Sequence, residues 1–344
     1  MTTLLIYAPA LAHTKEYHPE NNKRTLALLP VLERAGLLDQ LLRLEPQPAT
    51  ADQLRLIHLP ELIERVCQIS LRGGGVLDQG DTYATAESYE LARLAVGACC
   101  AAVDAILTGR ANNGFALVRP PGHHAEFDRI SGFCLFNNVA AAARQAQIAH
   151  GLKRIAIIDI DVHHGNGTQD IFYEDDSVLF ISLHMFAPFF YPGTGGINEL
   201  GVREGHGYTV NIPFPPYVGD LGYGRAFAEI VQPKVVAFAP ELLLVSTGFD
   251  AHWQDPLAMA GLSLTGYAHI VRLLIDLAAQ LCQGRILFVL EGGYQLEVLG
   301  NGILNTFHAL RGEDIVYDPF GPSPRPEADV SSLLERLKRL HLPF

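Results

Sequence analysis

The chain has 344 residues, of which 49% are apolar and 18% charged, which allows one large α/β unit and excludes global disorder. Its net charge of −12 argues against a nucleic-acid grip, which needs a basic face to neutralise phosphates, and is compatible with cationic substrates such as lysine side chains or polyamines. Five cysteines, Cys67, Cys99, Cys100, Cys134 and Cys282, form no CxxC pair and read as reduced thiols of a cytoplasmic protein. The opening MTTLLIYAPA has no basic lead-in and reads as a first strand, not a signal peptide, and no apolar run reaches membrane-spanning length.

In chain order, residues 4–8 read as that strand, followed by a polar loop carrying His13, His18 and Arg24. Apolar spacing predicts helices over 26–38 and 60–71, the second with Pro60 tolerated in its first turn. Asp81 lies in a polar loop ahead of a long helix over about 86–107, whose small apolar residues suit close packing on a sheet. Residues 115–118 form a short buried strand stopped by RPPG, with His123 and His124 directly after. An alanine-rich helix over 137–150 leads into 155–160, a β-branched run typical of a strand buried on both faces. Strands over 178–183, 208–212, 242–247 and 286–290 follow, alternating with helices over 222–239 (broken at Pro233), 264–283 and on to about 310. This alternation predicts an α/β fold: a single domain, 1–344, on a multi-stranded parallel sheet with helices on both faces, and a helical tail from about 327.

Four of these strands end in chemistry: His123 and His124; Asp159, Asp161, His163 and Asn166; Asp250 and His252; Glu291 and Tyr294. Sites in open α/β sheets form outside the carboxyl ends of strands, so one shared pocket is expected. Asp159, Asp161 and His163 are spaced by two, so an extended chain points them one way, and Thr168 is expected to cap a short helix after them. Buried acids need compensation, and a divalent metal supplies it. A catalytic zinc keeps three protein ligands and an open position, here Asp161, His163 and Asp250. A histidine must take the proton of the attacking water, and Tyr294, after two glycines, can donate its hydroxyl to an oxyanion. Together these groups describe amide hydrolysis. His150, His269, His308 and His341 read as packing or surface residues, His184 and His252 as structural neighbours of the site, and Glu291 as an orienting acid.

Seven stretches carry a resemblance: RPPGHHA (119–125), GFCLFNN (132–138), DIDVHHGNGTQ (159–169), SLH (182–184), YPGTG (191–195), GFDAH (248–252) and EGGY (291–294). In this order they resemble the zinc-dependent histone deacetylase superfamily, which includes acetylpolyamine amidohydrolases and acetoin-utilisation proteins and has an arginase/deacetylase-like fold. The resemblance implies zinc on Asp161, His163 and Asp250, His123 and His124 as the tandem histidines, and Tyr294 as the oxyanion tyrosine. It implies Gly132, Phe133 and Tyr191 along the acyl-lysine tunnel, where many relatives have phenylalanine in place of Tyr191. It implies Asp81 as a rim acid and Arg24 beside a product channel, a surface arginine at a helix start being the plain alternative. A monovalent cation, usually potassium, would use Asp159, Ser182 and carbonyls of Asp161, His163 and Leu183. Asn166 matches the class II branch, and the resemblance places Asp159 behind His123 and Asn166 behind His124. An anionic partner favours imidazolium and a neutral one does not, so His124 is expected to be the general base.

Acetylpolyamine deacetylases of this superfamily place an acidic gatekeeper after a GFD…DP stretch, where this chain has Leu257. That favours acyl-lysine in peptides or proteins over an acetylated polyamine. A two-manganese ureohydrolase would need a further aspartate after His163 and a second DxD-type pair, where His164-Gly165-Asn166 and Ala251-His252 stand. A non-catalytic acyl-lysine reader would have lost a ligand or the tyrosine, and all are present. A site of two carboxylates and one imidazole accepts iron(II) as well as zinc.

Overall fold

The computed structural model describes residues 1–342; the last two positions of the expected 1–344 domain lie outside the described residues. Among the described residues, ten strands follow in chain order: β1 (Thr3–Ala8), β2 (Leu42–Leu44), β3 (Gly74–Val76), β4 (Tyr83–Thr85), β5 (Asn113–Val118), β6 (Ile155–Asp159), β7 (Val178–Met185), β8 (Thr209–Phe214), β9 (Leu242–Thr247) and β10 (Ile286–Leu290). The chain forms two compact units, and each is assembled from three separate segments. The first holds Met1–Leu152, Gly165–Ile171 and Leu287–Glu291; the second holds Lys153–His164, Phe172–Ile286 and Gly292 onward.

In the first unit the strand order is β2-β1-β5-β10. β1 runs parallel to β5 from Thr3↔Asn113 to Ala8↔Val118, and every residue of β5 is buried, as its unbroken apolar run requires. The helix Ser88–Leu107 presents Ala92, Ala95, Gly97, Ala98 and Cys99 as a buried stripe of small side chains. At Gly97 a Cβ would collide with the backbone of Gln47, so the helix can approach that segment only because the side chain is absent. The helix Asn138–His150 opens on Asn137, whose side chain accepts from the Ala140 N–H, and closes on Gly151 in the left-handed region at φ 72°.

In the second unit the order is β9-β6-β7-β8, all parallel. β6 lies between Leu242–Ser246 of β9 and Val178–Ser182 of β7, with Asp159 opposite Ser182 on one side and Ser246 on the other. The sequence predicts a break at Pro233, and the helix there is indeed irregular. Asp220–Ala226 is α-helical, Phe227–Val231 forms a π-helical turn, and Gln232–Phe238 resumes with the proline in its first turn. A proline has no N–H to give and needs room behind it, and the wider turn provides that room. The tail ends in the helix Ser331–His341, which buries Leu334 and Leu337. No helix among the described residues is long and apolar enough to cross a membrane.

Candidate active site

The sequence expectation of an extended 159–163 is not met. β6 stops at Asp159 because carboxylates capture the next backbone donors. Asp159 Oδ1 accepts from the Asp161 N–H at 3.1 Å, and Asp161 Oδ1 accepts from the His163 N–H at 2.9 Å. Such Asx-type bonds turn the chain off the sheet. Thr168 also differs from its expected capping role: the short helix already begins at Asn166, and the Thr168 hydroxyl accepts from Asn137 Nδ2.

Within the second unit this turn brings Asp161, His163 and Asp250 together, with one ligand atom of each within 4.8 Å of the others. The remaining carboxylate oxygens are pinned by backbone donors, Asp161 Oδ2 by Gly292 N–H at 2.8 Å and Asp250 Oδ1 by Val162 N–H at 3.0 Å. His163 Nδ1 lies 3.2 Å from Asp161 Oδ1 and 3.3 Å from Asp250 Oδ2. Asp250 Oδ2 is buried and has no hydrogen-bond partner. A four-coordinate ion with bonds of about 2.1 Å holds its ligand atoms about 3.4 Å apart, so these spacings fit a divalent cation. Charge points the same way. Burial would depress the His163 imidazole, yet the carboxylates of Asp161 and Asp250 hold it up at about 9. Burial first, and then the Asp161 charge, push Asp250 upward. Two buried carboxylates thus compete for positive charge.

The same unit places the other strand-end residues. Ser182, register partner of Asp159, hydrogen-bonds through its hydroxyl to His184 Nδ1 at 2.9 Å, and Leu183 follows it, fully buried, in β7. His163 stacks on Phe190, with centroids 5.0 Å apart and planes at 6°, and Tyr191 meets it edge-on at 6.3 Å. Asp255 adds a link that its place in the sequence does not reveal. Its carboxylate accepts from the Leu257 N–H at 2.9 Å and the Tyr294 N–H at 2.8 Å, so one acid ties the loop of Leu257 to that of Tyr294. Burial, then the Asp250 charge, raise Asp255 to about 7.

In the first unit, His123 and His124 lie with ring centroids 4.0 Å apart. Glu291 is the orienting acid that the sequence suggests: its Oε2 accepts from the N–H groups of Gly122 at 2.7 Å and His123 at 3.2 Å. The His123 carbonyl in turn accepts from Gly167 and Thr168. His124 Nδ1 lies 2.7 Å from Asn166 Oδ1, and Asn166 Nδ2 donates to Glu126 Oε1 at 2.6 Å. A carboxylate cannot donate, so Glu126 fixes which way the Asn166 amide points. The amide oxygen then requires a proton on His124 Nδ1, which in the neutral ring leaves Nε2 with its lone pair. Glu126 follows the tandem histidines in sequence, and only this contact reveals its use. Cys134 also lies near this cluster: ligand atoms of His123, Cys134 and Glu291 fall within 4.8 Å of one another. Gly132 has φ +57°, and a Cβ there would strike the His124 ring. Phe133 is edge-on to His18 at 4.7 Å.

Arg24 is a correction to the surface alternative. It is 1% exposed, donates through Nη1 to Glu20 Oε1 at 3.1 Å, and through Nη2 to the Glu291 carbonyl at 2.5 Å. Glu20 also takes both arms of Arg119, at 2.5 and 2.6 Å. The guanidiniums overcome the upward push of burial and hold its carboxyl down at about 2. Asp81 is exposed, and its carbonyl takes His18 Nε2 at 3.1 Å.

Residues 18–310 match the family model described as "Histone deacetylase domain". The chain is 40% identical to "Histone deacetylase 10, chloroplastic" of Oryza sativa, over 97% of this chain and 80% of that one. It is 39% identical to a "Probable deacetylase" of Archaeoglobus fulgidus, covering 92% of this chain and 88% of the relative. It is also 39% identical to "Polyamine deacetylase HDAC10" of Homo sapiens, over 98% of this chain and 51% of that protein. The solved structure of the "HDA15 HD domain" superposes with a TM-score of 0.91 at 38% identity, over 99% of this chain and 96% of that one. The α/β fold on a parallel sheet is thus the one expected, and the chain belongs to the histone deacetylase family of hydrolases.

Proposed function

We propose that this chain is a metal-dependent deacetylase that removes acetyl or other acyl groups from lysine side chains of peptides or proteins. The observation that carries the reading is the spacing of Asp161, His163 and Asp250, in which the buried Asp250 Oδ2 makes no hydrogen bond and lies 3.3 Å from His163 Nδ1. These three residues would hold zinc, with iron(II) also suited to the donor set. When bound, such a cation acidifies a water and polarises an acyl carbonyl.

The protein groups supply the rest. His124, whose Nδ1 engages Asn166, takes the water's proton at Nε2 and returns it to the leaving lysine amine. His123, for which the family implies Asp159 as a partner, is the cationic member of the pair and stabilises developing negative charge. The Tyr294 hydroxyl donates to the oxyanion of the tetrahedral intermediate, and Asp255 positions its backbone. Gly132, Phe133 and Tyr191 wall the acyl-lysine stem, and Asp81 holds the substrate backbone at the rim. Arg24, buried behind Glu291, lines the product channel. Potassium would bind Asp159, Ser182 and the carbonyls of Asp161, His163 and Leu183. The five thiols, none in a disulfide, support work in a reducing, cytoplasmic setting. The two compact units act as one catalytic domain.

A second reading, acetylated polyamine as substrate, is favoured by the human relative named a polyamine deacetylase. Leu257 stands against it, because an apolar side chain gives a polycation no counter-charge. Acetate release by the metal-loaded protein from an acetyl-lysine peptide and from an acetylated polyamine, measured side by side, tests the choice. Faster turnover of the peptide is expected. Faster turnover of the polyamine would overturn the lysine assignment, and binding without turnover of either would favour a reader.

A further inference from the structure

The loop between β7 and β8 carries a residue that neither turn chemistry nor solvation favours. The Phe190 N–H donates to the Ala187 carbonyl at 3.1 Å, closing a four-residue turn. Pro188 is its second residue and Phe189 its third, with φ +64°. Proline followed by a positive φ is the type II pattern, in which the third position calls for glycine or asparagine. A phenylalanine there crowds its own backbone. Phe189 also gains nothing from burial: it is 107% exposed, with the whole ring in water. Glycine would relieve both penalties at once.

The turn itself is well anchored. Phe186 N–H donates to the Phe214 carbonyl at 2.7 Å. On the other side Gly195 and Gly196 donate to the Glu199 carboxylate, and Thr194 meets His164. The ring is therefore held out by a braced loop. Its chain neighbour Phe190 lies flat on His163, and Tyr191 meets the same imidazole edge-on. Phe189 thus directly precedes in the chain the two aromatics that flank a proposed metal ligand, and Phe186 and Tyr191 are also open to solvent, at 41% and 42% exposed.

We infer that Phe189 is a specificity residue that packs against an apolar side chain next to the acyl-lysine of a peptide substrate. The inference rests on the lysine-deacetylase reading and narrows it to sequences with a large apolar neighbour. Consecutive residues of an extended chain advance about 3.3 Å, so the residue next to a lysine engaged beside His163 is displaced by about one residue step, as Phe189 is from Phe190, which stacks on that imidazole. A local conformation kept against both strain and solvation is expected where function requires it.

The test compares the metal-loaded wild type with Phe189→Gly, Phe189→Asn and Phe189→Tyr. Substrates are acetyl-lysine peptides with leucine or phenylalanine beside the acetyl-lysine, and the same peptides with glycine there. Phe189→Gly and Phe189→Asn are expected to lose about tenfold in kcat/KM on the apolar-flanked peptides, mainly through KM, and less than about twofold on the glycine-flanked ones. Phe189→Tyr should retain the preference. The thermal midpoint of Phe189→Gly is expected to stay level or rise, in line with relief of the turn. Equal rates on both peptide sets in the wild type, or an unchanged preference in Phe189→Gly, would overturn the inference. Absence of turnover on every acetyl-lysine peptide by the wild type would instead sink the deacetylase reading on which it rests.

Discussion

Glu20→Gln should destabilise the protein by about 3–5 kcal/mol, because it removes the counter-charge of two buried guanidiniums. Glu20 is 0% exposed and accepts one arm of Arg24 and two of Arg119. A second route gives a similar magnitude: holding its carboxyl at about 2 instead of 4.5 corresponds to about 3 kcal/mol of stability. The sign is fixed by the direction of the change. The folded state binds this proton more weakly than the unfolded chain, so the stabilisation is complete above pH 4.5 and is lost as pH falls from 4.5 toward 2. Urea unfolding at pH 7 should show a lower midpoint at unchanged slope. The variant should also lack the wild type's loss of stability below pH 4.5. Arg24 reaches the Glu291 carbonyl, and Glu291 holds the backbone of Gly122 and His123, so kcat should fall as well, with KM little changed. A stability loss under about 1 kcal/mol, or an acid limb identical to the wild type's, would refute the reasoning.

A milder acid limb belongs to His13 and His58, both held neutral by burial with pKa values of about 4. Because their folded values lie below 6.5, each should contribute up to about 3 kcal/mol above that pH, lost as pH falls toward 4, which a chemical-denaturation series from pH 7 to 4 would read. His124→Ala should lower kcat by about 10²–10⁴-fold, and single-turnover kinetics that left the chemical step intact would remove His124 as the base. Asn166→Asp would put a second carboxylate against Glu126, 2.6 Å from the Asn166 amide nitrogen, and favour a charged His124. Its pH–rate profile should shift to higher pH, and an unmoved profile would contradict the tautomer assigned from the Glu126 contact. Leu257→Glu should raise kcat/KM on acetylated polyamine by about tenfold or more at the cost of lysine peptides, and unchanged polyamine turnover would remove Leu257 as the selectivity position.

Much of this protein is legible in the sequence because the determinants are local. The runs that became β5, β6, β9 and β10 are short, apolar and bounded by turn residues, so burial and parallel pairing follow from composition. Asp161, His163, Asp250, His123, His124 and Tyr294 sit directly beyond these runs, which is why the sequence can single them out as candidates. Tertiary structure decided how the side chains are wired. Glu20 meets Arg119 across 99 positions, and Gly122 meets Glu291 across 169. No periodicity encodes such pairs, because they arise only when strand ends gather. Asp159 and Asp161 show the same limit at short range. Their spacing fits an extended strand, yet their carboxylates bind the next backbone donors and turn the chain off the sheet. The left-handed, exposed Phe189 is likewise invisible in a string of letters. Its conformation is set by the turn that Pro188 opens and by anchors at Phe214 and Glu199, where non-local contacts outweigh the residue's own backbone preference.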